Sequence, residues 1–190
     1  MGLTALAVVG IAAALDATVA ELPGRVHPIA LFGRVVGAVD REWARPRAVG
    51  VAAAVVLPLA FAAVAWGVVA GSGTVVAGGG TGITGEDRVA AVATAVVAGL
   101  ALFSLTSLRM LVAVASEVIE ATERDAEVAR ESAIALVGRD TSSLSAAEIR
   151  SAGVESAAEN LADGLVAPLL GFAVGAQASL AVGVAAAAWV

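Results

Sequence analysis

Apolar runs and polar segments alternate along this chain, and their lengths set the first expectations. Ala48 to Ala70 carries no charge and is rich in Val, Leu and Phe, and Val89 to Leu108 is a second uncharged run. Gly164 to Val190 is a third, interrupted only by the neutral Gln177. A helix rises about 1.5 Å per residue and the hydrocarbon core is about 30 Å thick, so about 20 apolar residues cross it. All three runs meet that length. A fourth, Met1 to Leu15, reaches only about 22 Å and is expected to be a short, tilted or re-entrant piece. It lacks the basic stretch that opens a signal peptide, so it is expected to be retained. The pattern predicts an all-α fold: a polytopic α-helical integral membrane protein with cytoplasmic helical segments. Residues 1–190 are expected to form a single membrane domain, with membrane segments at about 1–15, 48–70, 89–108 and 164–190. Pro58 lies mid-span, where neighbouring helices can satisfy the freed carbonyl, and a kink is expected there.

Three polar segments separate the runs, at about 16–47, 71–88 and 109–163. The first holds Arg25, Arg34, Arg41, Arg45 and Arg47, and the third holds five more arginines. The glycine-rich middle segment holds only Arg88. Positive charge stays on the cytoplasmic side, so the first and third segments are expected there and the middle one outside. Strict alternation of the spans demands the same arrangement. Within the third segment, residues 116–137 read as one soluble helix stopping at Gly138. A new helix is expected at Ser145, because Ser145-Ala146-Ala147-Glu148 has the spacing of a capping box.

Composition strengthens the membrane reading. Hydrophobic residues make up 59% of the chain and charged residues 15%, whereas soluble domains carry about a quarter charged. The mean hydropathy is +0.93. Seventeen carboxylates face eleven basic residues, all of them arginine, so no basic patch is available for nucleic acid. Cysteine is absent, which excludes disulfides and thiolate chemistry, and a single histidine excludes paired-histidine metal motifs.

Few positions carry chemistry. Gly80 to Gly85 matches G-x-G-x-x-G, but between two membrane spans it has no βαβ context and reads as a loop. His27-Pro28 reads either as a turn with an exposed imidazole or as a phosphate contact or general base. Glu155, Glu159 and Asp163 are four residues apart and would stack on one helix face beside Asn160. That stripe is either a solvated acidic face or a magnesium site, since magnesium takes one or two carboxylates together with waters and phosphates. It runs into the last apolar run at Pro168, where carboxylates are costly. Arg139-Asp140-Thr141 after Gly138 is either a capped loop or a phosphate contact, the guanidinium offering a planar fork of donors.

In order, these residues resemble the adenosylcobinamide-phosphate synthase family, the CbiB/CobD membrane proteins of cobalamin biosynthesis. The resemblance is carried by Val137-Gly138-Arg139-Asp140-Thr141, Leu144, Glu148-Ile149, Glu155 to Asn160, Asp163-Gly164 and Pro168. Upstream, Leu15-Asp16, His27-Pro28, Gly33-Arg34, Ser107-Leu108-Arg109 and Ala129-Arg130 are similar to further family motifs. The Gly-Asp-Pro usual after the first aspartate is replaced here by Ala17 to Gly24. Family members also continue through an Asn-Thr-Leu-Asp-Ser-Met segment and a later arginine- and aspartate-rich motif. Val190 precedes both, so a C-terminally truncated fragment or a shortened paralogue is expected.

The resemblance implies a carbon–nitrogen ligase. It would use ATP and Mg²⁺ to join the free carboxyl of adenosylcobyric acid, a corrinoid, to aminopropanol phosphate or a related amino-alcohol phosphate. It implies Glu155, Glu159 and Asp163 at the metal, Arg109, Arg139 and Asp140 at substrate and phosphates, and Asn160 and His27 as catalytic. The expected location is the cell membrane, multi-pass, with the active face cytoplasmic. The lipid bilayer and other corrinoid-pathway enzymes are the expected partners. The alternative is a non-catalytic membrane scaffold or a small transporter-like paralogue; almost no polar group at mid-membrane depth favours a transporter.

Overall fold

The computed structural model describes residues 2–19, 22–77, 85–134, 136–137 and 140–190. Among them every regular element is helical, as the hydrophobic pattern requires. The order is α1 (Leu3–Val19), α2 (Pro28–Val39), α3 (Pro46–Ala77), α4 (Gly85–Phe103), α5 (Leu108–Arg124), α6 (Ala126–Ala133) and α7 (Ala146–Leu161). A π-helical turn (Ala162–Val166) then leads into α8 (Ala167–Gly175), and α9 (Leu180–Trp189) ends the chain. Three helical stretches are long and apolar enough to cross a membrane: Pro46–Gly73, Arg88–Arg124 and Ala146–Gly175. The helix α3 runs unbroken through Pro58 and continues over residues 71–77, where a loop was expected. The G-x-G-x-x-G sequence, apart from Gly85, lies outside the described residues.

The chain divides into two compact units, Met1–Thr106 with Ala167–Val190, and Ser107–Val166. In the first unit α1 packs on α4, and α3 packs on α4 and α9. Its core is built from Val8 of α1, Ala98 and Leu102 of α4, Val69 of α3, Phe172 of α8 and Val184 of α9. Small residues bring these helices close, as expected where van der Waals packing rather than water drives association. A Cβ on Gly99 would sit 2.6 Å from the Ile11 side chain, so only glycine admits α1 at this distance from α4.

The last apolar run departs from expectation. Residues 164–190 were read as one span, yet the helix stops at Gly175 and restarts at Leu180. Residues 176–178 form a turn closed by Ala176 N–H to the Phe172 carbonyl and Ala178 N–H to the Gly175 carbonyl. Ser179 then caps α9, its Oγ accepting from the Val182 N–H at 3.2 Å. The result is a hairpin in which α8 packs directly on α9. A Cβ on Gly175 would lie 2.6 Å from the Val182 carbonyl oxygen, so glycine is required for the two backbones to meet. At about 1.5 Å per residue α9 is about 15 Å long, half of what crossing needs, whereas α8 is the end of the longer helical stretch Ala146–Gly175.

The second unit holds α5, α6 and α7 around Val118, Ala121, Ala129, Ala133, Leu136, Val137, Ile149 and Ala152. The single helix expected over residues 116–137 is broken at Asp125. That residue ends α5 and caps α6, its Oδ1 accepting from the Glu127 N–H at 2.7 Å. An aspartate cap satisfies one of the orphan amides of a new helix, which makes the break locally stable. The capping box at Ser145 is present as expected, with the Glu148 carboxylate accepting from the Ser145 N–H at 2.8 Å.

A polar cleft and an acidic helix as the candidate functional site

The second unit is held together by two arginines. Arg150 on α7 reaches α5, where both its Nε and Nη2 donate to Thr122 Oγ1 at 3.2 and 2.9 Å. The Thr122 hydroxyl passes its own proton to the Ile119 carbonyl at 2.6 Å. Arg130 on α6 donates from Nε to the Leu144 carbonyl at 2.9 Å and from Nη1 to Glu127 at 2.8 Å. Thr141, only 4% exposed, donates its hydroxyl to the Arg130 carbonyl at 3.0 Å. The segment after α6 is thereby folded back along that helix. The planar guanidinium makes both bonds in fixed directions, which a lysine could not copy.

This folding opens a cleft of about 510 Å³ lined by Glu127, Arg130, Glu131, Ile134, Asp140, Thr141 and Ser142. Asp140 closes a tight turn there, its Oδ1 accepting from the Ser142 N–H at 2.9 Å. That hydrogen bond holds the Asp140 carboxyl below the usual carboxylate range, because it favours the ionised form. The floor of the cleft is therefore fixed by backbone contacts, and its walls carry charged groups of both signs.

Of the residues singled out from sequence, Asp140 lines this cleft, and Gly138 and Arg139 lie outside the described residues. Arg109 is exposed near the start of α5. Glu155, Glu159 and Asn160 are exposed on α7, and Asp163 is exposed within the π turn. A π turn carries one more residue per hydrogen-bonded ring than an α turn. The four-residue stacking therefore holds for Glu155 and Glu159 and changes phase at Asp163. Among the described residues no group of three or more His, Asp or Glu side chains gathers as a metal cage would. Glu155 and Glu159 fit magnesium in its other mode, one or two carboxylates completed by waters and substrate phosphates. His27 belongs to the first unit; it begins α2 and is only 8% exposed, so the turn with an exposed imidazole does not form.

Two residues were missed as site residues. Arg130 shapes the cleft; its Glu127 partner lies one helical turn back, but its bonds to positions 141 and 144 arise where the chain folds back, and no helical period announces them. Ser107, which begins α5, has a buried Oγ without a hydrogen-bond partner among the described residues. Buried hydroxyls are nearly always partnered, so this one is an exception beside Arg109. Its signal was adjacency to Arg109.

Comparison with known proteins decides the family. The family model described as CobD/Cbib protein matches residues 9–189. The chain belongs to the CobD/Cbib family. It is 27% identical over 168 residues to the probable cobalamin biosynthesis protein CobD of Pyrococcus abyssi, covering 88% of this chain and 52% of that one. With the protein of the same name from Methanothermobacter thermautotrophicus it shares 40% identity over 77 residues, 40% of this chain and 26% of that one. With the cobalamin biosynthesis protein CobD of Geobacter metallireducens it shares 31% over 154 residues, 78% and 44% of the respective chains. The CobD/Cbib chain described here thus spans about half the length of the curated relatives it matches. No solved structure matches it. As a member of this family with three helical stretches apolar enough to cross a bilayer, it is a membrane protein.

Proposed function

We propose that this chain serves cobalamin biosynthesis as the ligase that converts adenosylcobyric acid to adenosylcobinamide phosphate. The observation that carries the proposal is the family match across residues 9–189, with relatives named for cobalamin biosynthesis. Two steps balance the reaction. A carboxylate oxygen of the corrinoid attacks the terminal phosphorus of ATP and ADP leaves. The amine of the amino-alcohol phosphate then attacks the acyl carbon, inorganic phosphate leaves, and the amine gives up a proton.

Magnesium bound with the nucleotide supplies charge neutralisation on the phosphates. Glu155 and Glu159 are the residues that would hold it, and Asp163, expected beside them from the sequence, is turned off their face by the π turn. Arg109 and Arg139 meet phosphates, because guanidinium groups offer paired donors in the geometry phosphate accepts. Arg130 has its donors committed to Leu144 and Glu127, so it shapes the cleft. Asp140, which lines the cleft, contacts substrate, and Asn160 orients it. His27, in the first unit, keeps the role the family resemblance implies for it, a base or phosphate contact. The active face is cytoplasmic, where ATP is.

The test is complementation of a strain that requires cobinamide, with the 190-residue chain and separately with a version extended at its C-terminus. Growth with either supports the reading. Growth with neither, when both are present in the membrane, removes it. Within whichever version works, Glu155→Ala or Glu159→Ala is expected to lower turnover by about a hundredfold or more, the scale of losing a charge-stabilising group. Normal turnover would remove the metal assignment and leave a scaffold-like role for the acidic face.

A further inference from the structure

A second cavity lies wholly within the first unit, about 390 Å³ in volume, between α3, α4 and the segment leading into α2. Its walls are carbon: Leu22, Pro28, Phe61, Ala65, Ala101 and Leu105 are among them. Ser104 is its one polar side chain, and that hydroxyl already donates to the Ala101 carbonyl at 2.7 Å. An occupant therefore finds no hydrogen bond inside, and only hydrocarbon enters without a desolvation penalty.

The mouth is chemically different. Leu22 and Pro28, both lining the groove, bracket the turn over residues 24–26 that carries the exposed Arg25. The Arg34 side chain comes back from α2 to the same turn, its Nη2 donating to the Gly24 carbonyl at 2.9 Å. Arg25 and Arg34 are the two basic groups of the stretch between Glu21 and Asp40. The other arginines of this segment are placed elsewhere: Arg41 lies over the Trp43 ring at 4.2 Å, and Arg45 and Arg47 flank the start of α3. The neighbouring helix α2 is apolar apart from Arg34, has no buried residue, and packs Phe32 on Phe61 of α3 at 5.1 Å between ring centroids.

We propose that this groove seats one acyl chain of an anionic phospholipid, whose phosphate is met by Arg25 and Arg34 at the mouth. A carbon-walled groove with a two-arginine mouth matches an amphiphile of that chemistry at both ends. Basic residues next to membrane helices select anionic headgroups, and here the selection is joined to a seat for the tail.

The whole chain, reconstituted in phosphatidylcholine vesicles, is titrated with spin-labelled phosphatidylglycerol or spin-labelled phosphatidylcholine. Electron paramagnetic resonance then reads the motionally restricted fraction of each. The wild type is expected to prefer phosphatidylglycerol on the order of tenfold, the scale two surface arginines supply. The Arg25→Gln/Arg34→Gln pair is expected to bring the ratio to parity. Ala101→Phe and, independently, Ala65→Leu fill the groove while leaving every arginine in place, and both are expected to abolish the preference. Arg45→Gln/Arg47→Gln is expected to keep it. Circular dichroism checks that each variant is folded; if the first pair is not, Arg25→Gln alone, which spares the Arg34–Gly24 bond, must lower the ratio. Equal restriction of both lipids by the wild type overturns the proposal. So does a preference that survives in the groove variants, or one lost only with Arg45 and Arg47. Occupation of the groove by a second copy, seen as cross-linking between Cys-substituted Val64 positions with no lipid preference, overturns it as well.

Discussion

The hydroxyl of Thr141 is buried against the Arg130 carbonyl, and the two residues together fix the cleft. Thr141→Val keeps the shape and deletes the donor, so it is expected to cost about 1–2 kcal/mol, seen as a lower thermal midpoint in detergent. Asp140 gives a pH prediction with a definite sign. Its folded carboxyl titrates below the ordinary aspartate value, because the Ser142 N–H favours the charged form. The turn is therefore fully stabilised above that ordinary value, near 4, and loses this contribution as pH falls through the lower folded value. The Ser142 amide resonance is expected to titrate with a midpoint below 3.8, the ordinary value for the group, and Asp140→Asn is expected to abolish the titration. An amide midpoint above that value would show that the hydrogen bond does not form in solution. The capping box at Ser145 was legible because both partners lie within four residues. The Arg130 bonds were not, because hydrogen bonds to carbonyls depend on where the chain folds back and not on which residue types follow one another.

Elements show the same division. The long uncharged runs announced α3 and α4, since length and lack of charge are properties of consecutive residues. The breaks were harder. Asp125 looked like one more charged residue on an exposed helix face, yet it serves as stop and start together. Gly175, Gln177 and Ser179 looked like tolerated exceptions in a span, and they form the end, turn and cap of a hairpin. Gly175→Val tests this directly. The added Cβ would meet the Val182 carbonyl, and an overpacked contact of this kind is expected to cost about 1–3 kcal/mol or prevent assembly. Gly164→Ala, with nothing within 4 Å of its Cβ, is the tolerated control for thermal melting. α9, ten residues long, is too short to cross by itself, and the hairpin brings Val190 back to the level of Ala167. Because the chain contains no cysteine, single cysteines at Ala167 and Val190 can be labelled unambiguously with an impermeant maleimide. Labelling of both from one side is expected; labelling from opposite sides would restore the run as a single span.

For the molecule as a whole, composition was enough to identify lipid as the solvent, and the ordered motifs were enough to identify the family. The partition into two units was not visible in composition, because the second unit interrupts the first in sequence: α8 and α9 complete a core begun by α1, α3 and α4. The candidate site was legible as chemistry and less so as geometry. Carboxylates spaced by four predicted a stripe, but the π turn at Asp163 shifts its phase, and nothing in Ala162–Val166 announces such a turn apart from the nearby Pro168. Proline at 168 has no N–H for the carbonyl four residues earlier, and a widened turn is one of the few backbone adjustments that tolerate it.

The glycine-joined hairpin bears finally on biogenesis. A segment is released into the bilayer when it is long and apolar enough to be stable there by itself; α9 is apolar but only ten residues long, whereas α8 ends the thirty-residue stretch Ala146–Gly175. Their turn also places irregular backbone at membrane depth, which is tolerated only where protein already surrounds it. α9 is therefore expected to enter against α3 and α8, after those helices are in place. Its integration is a late, folding-dependent event, and a defect at Gly175 would first be seen as a failure of insertion.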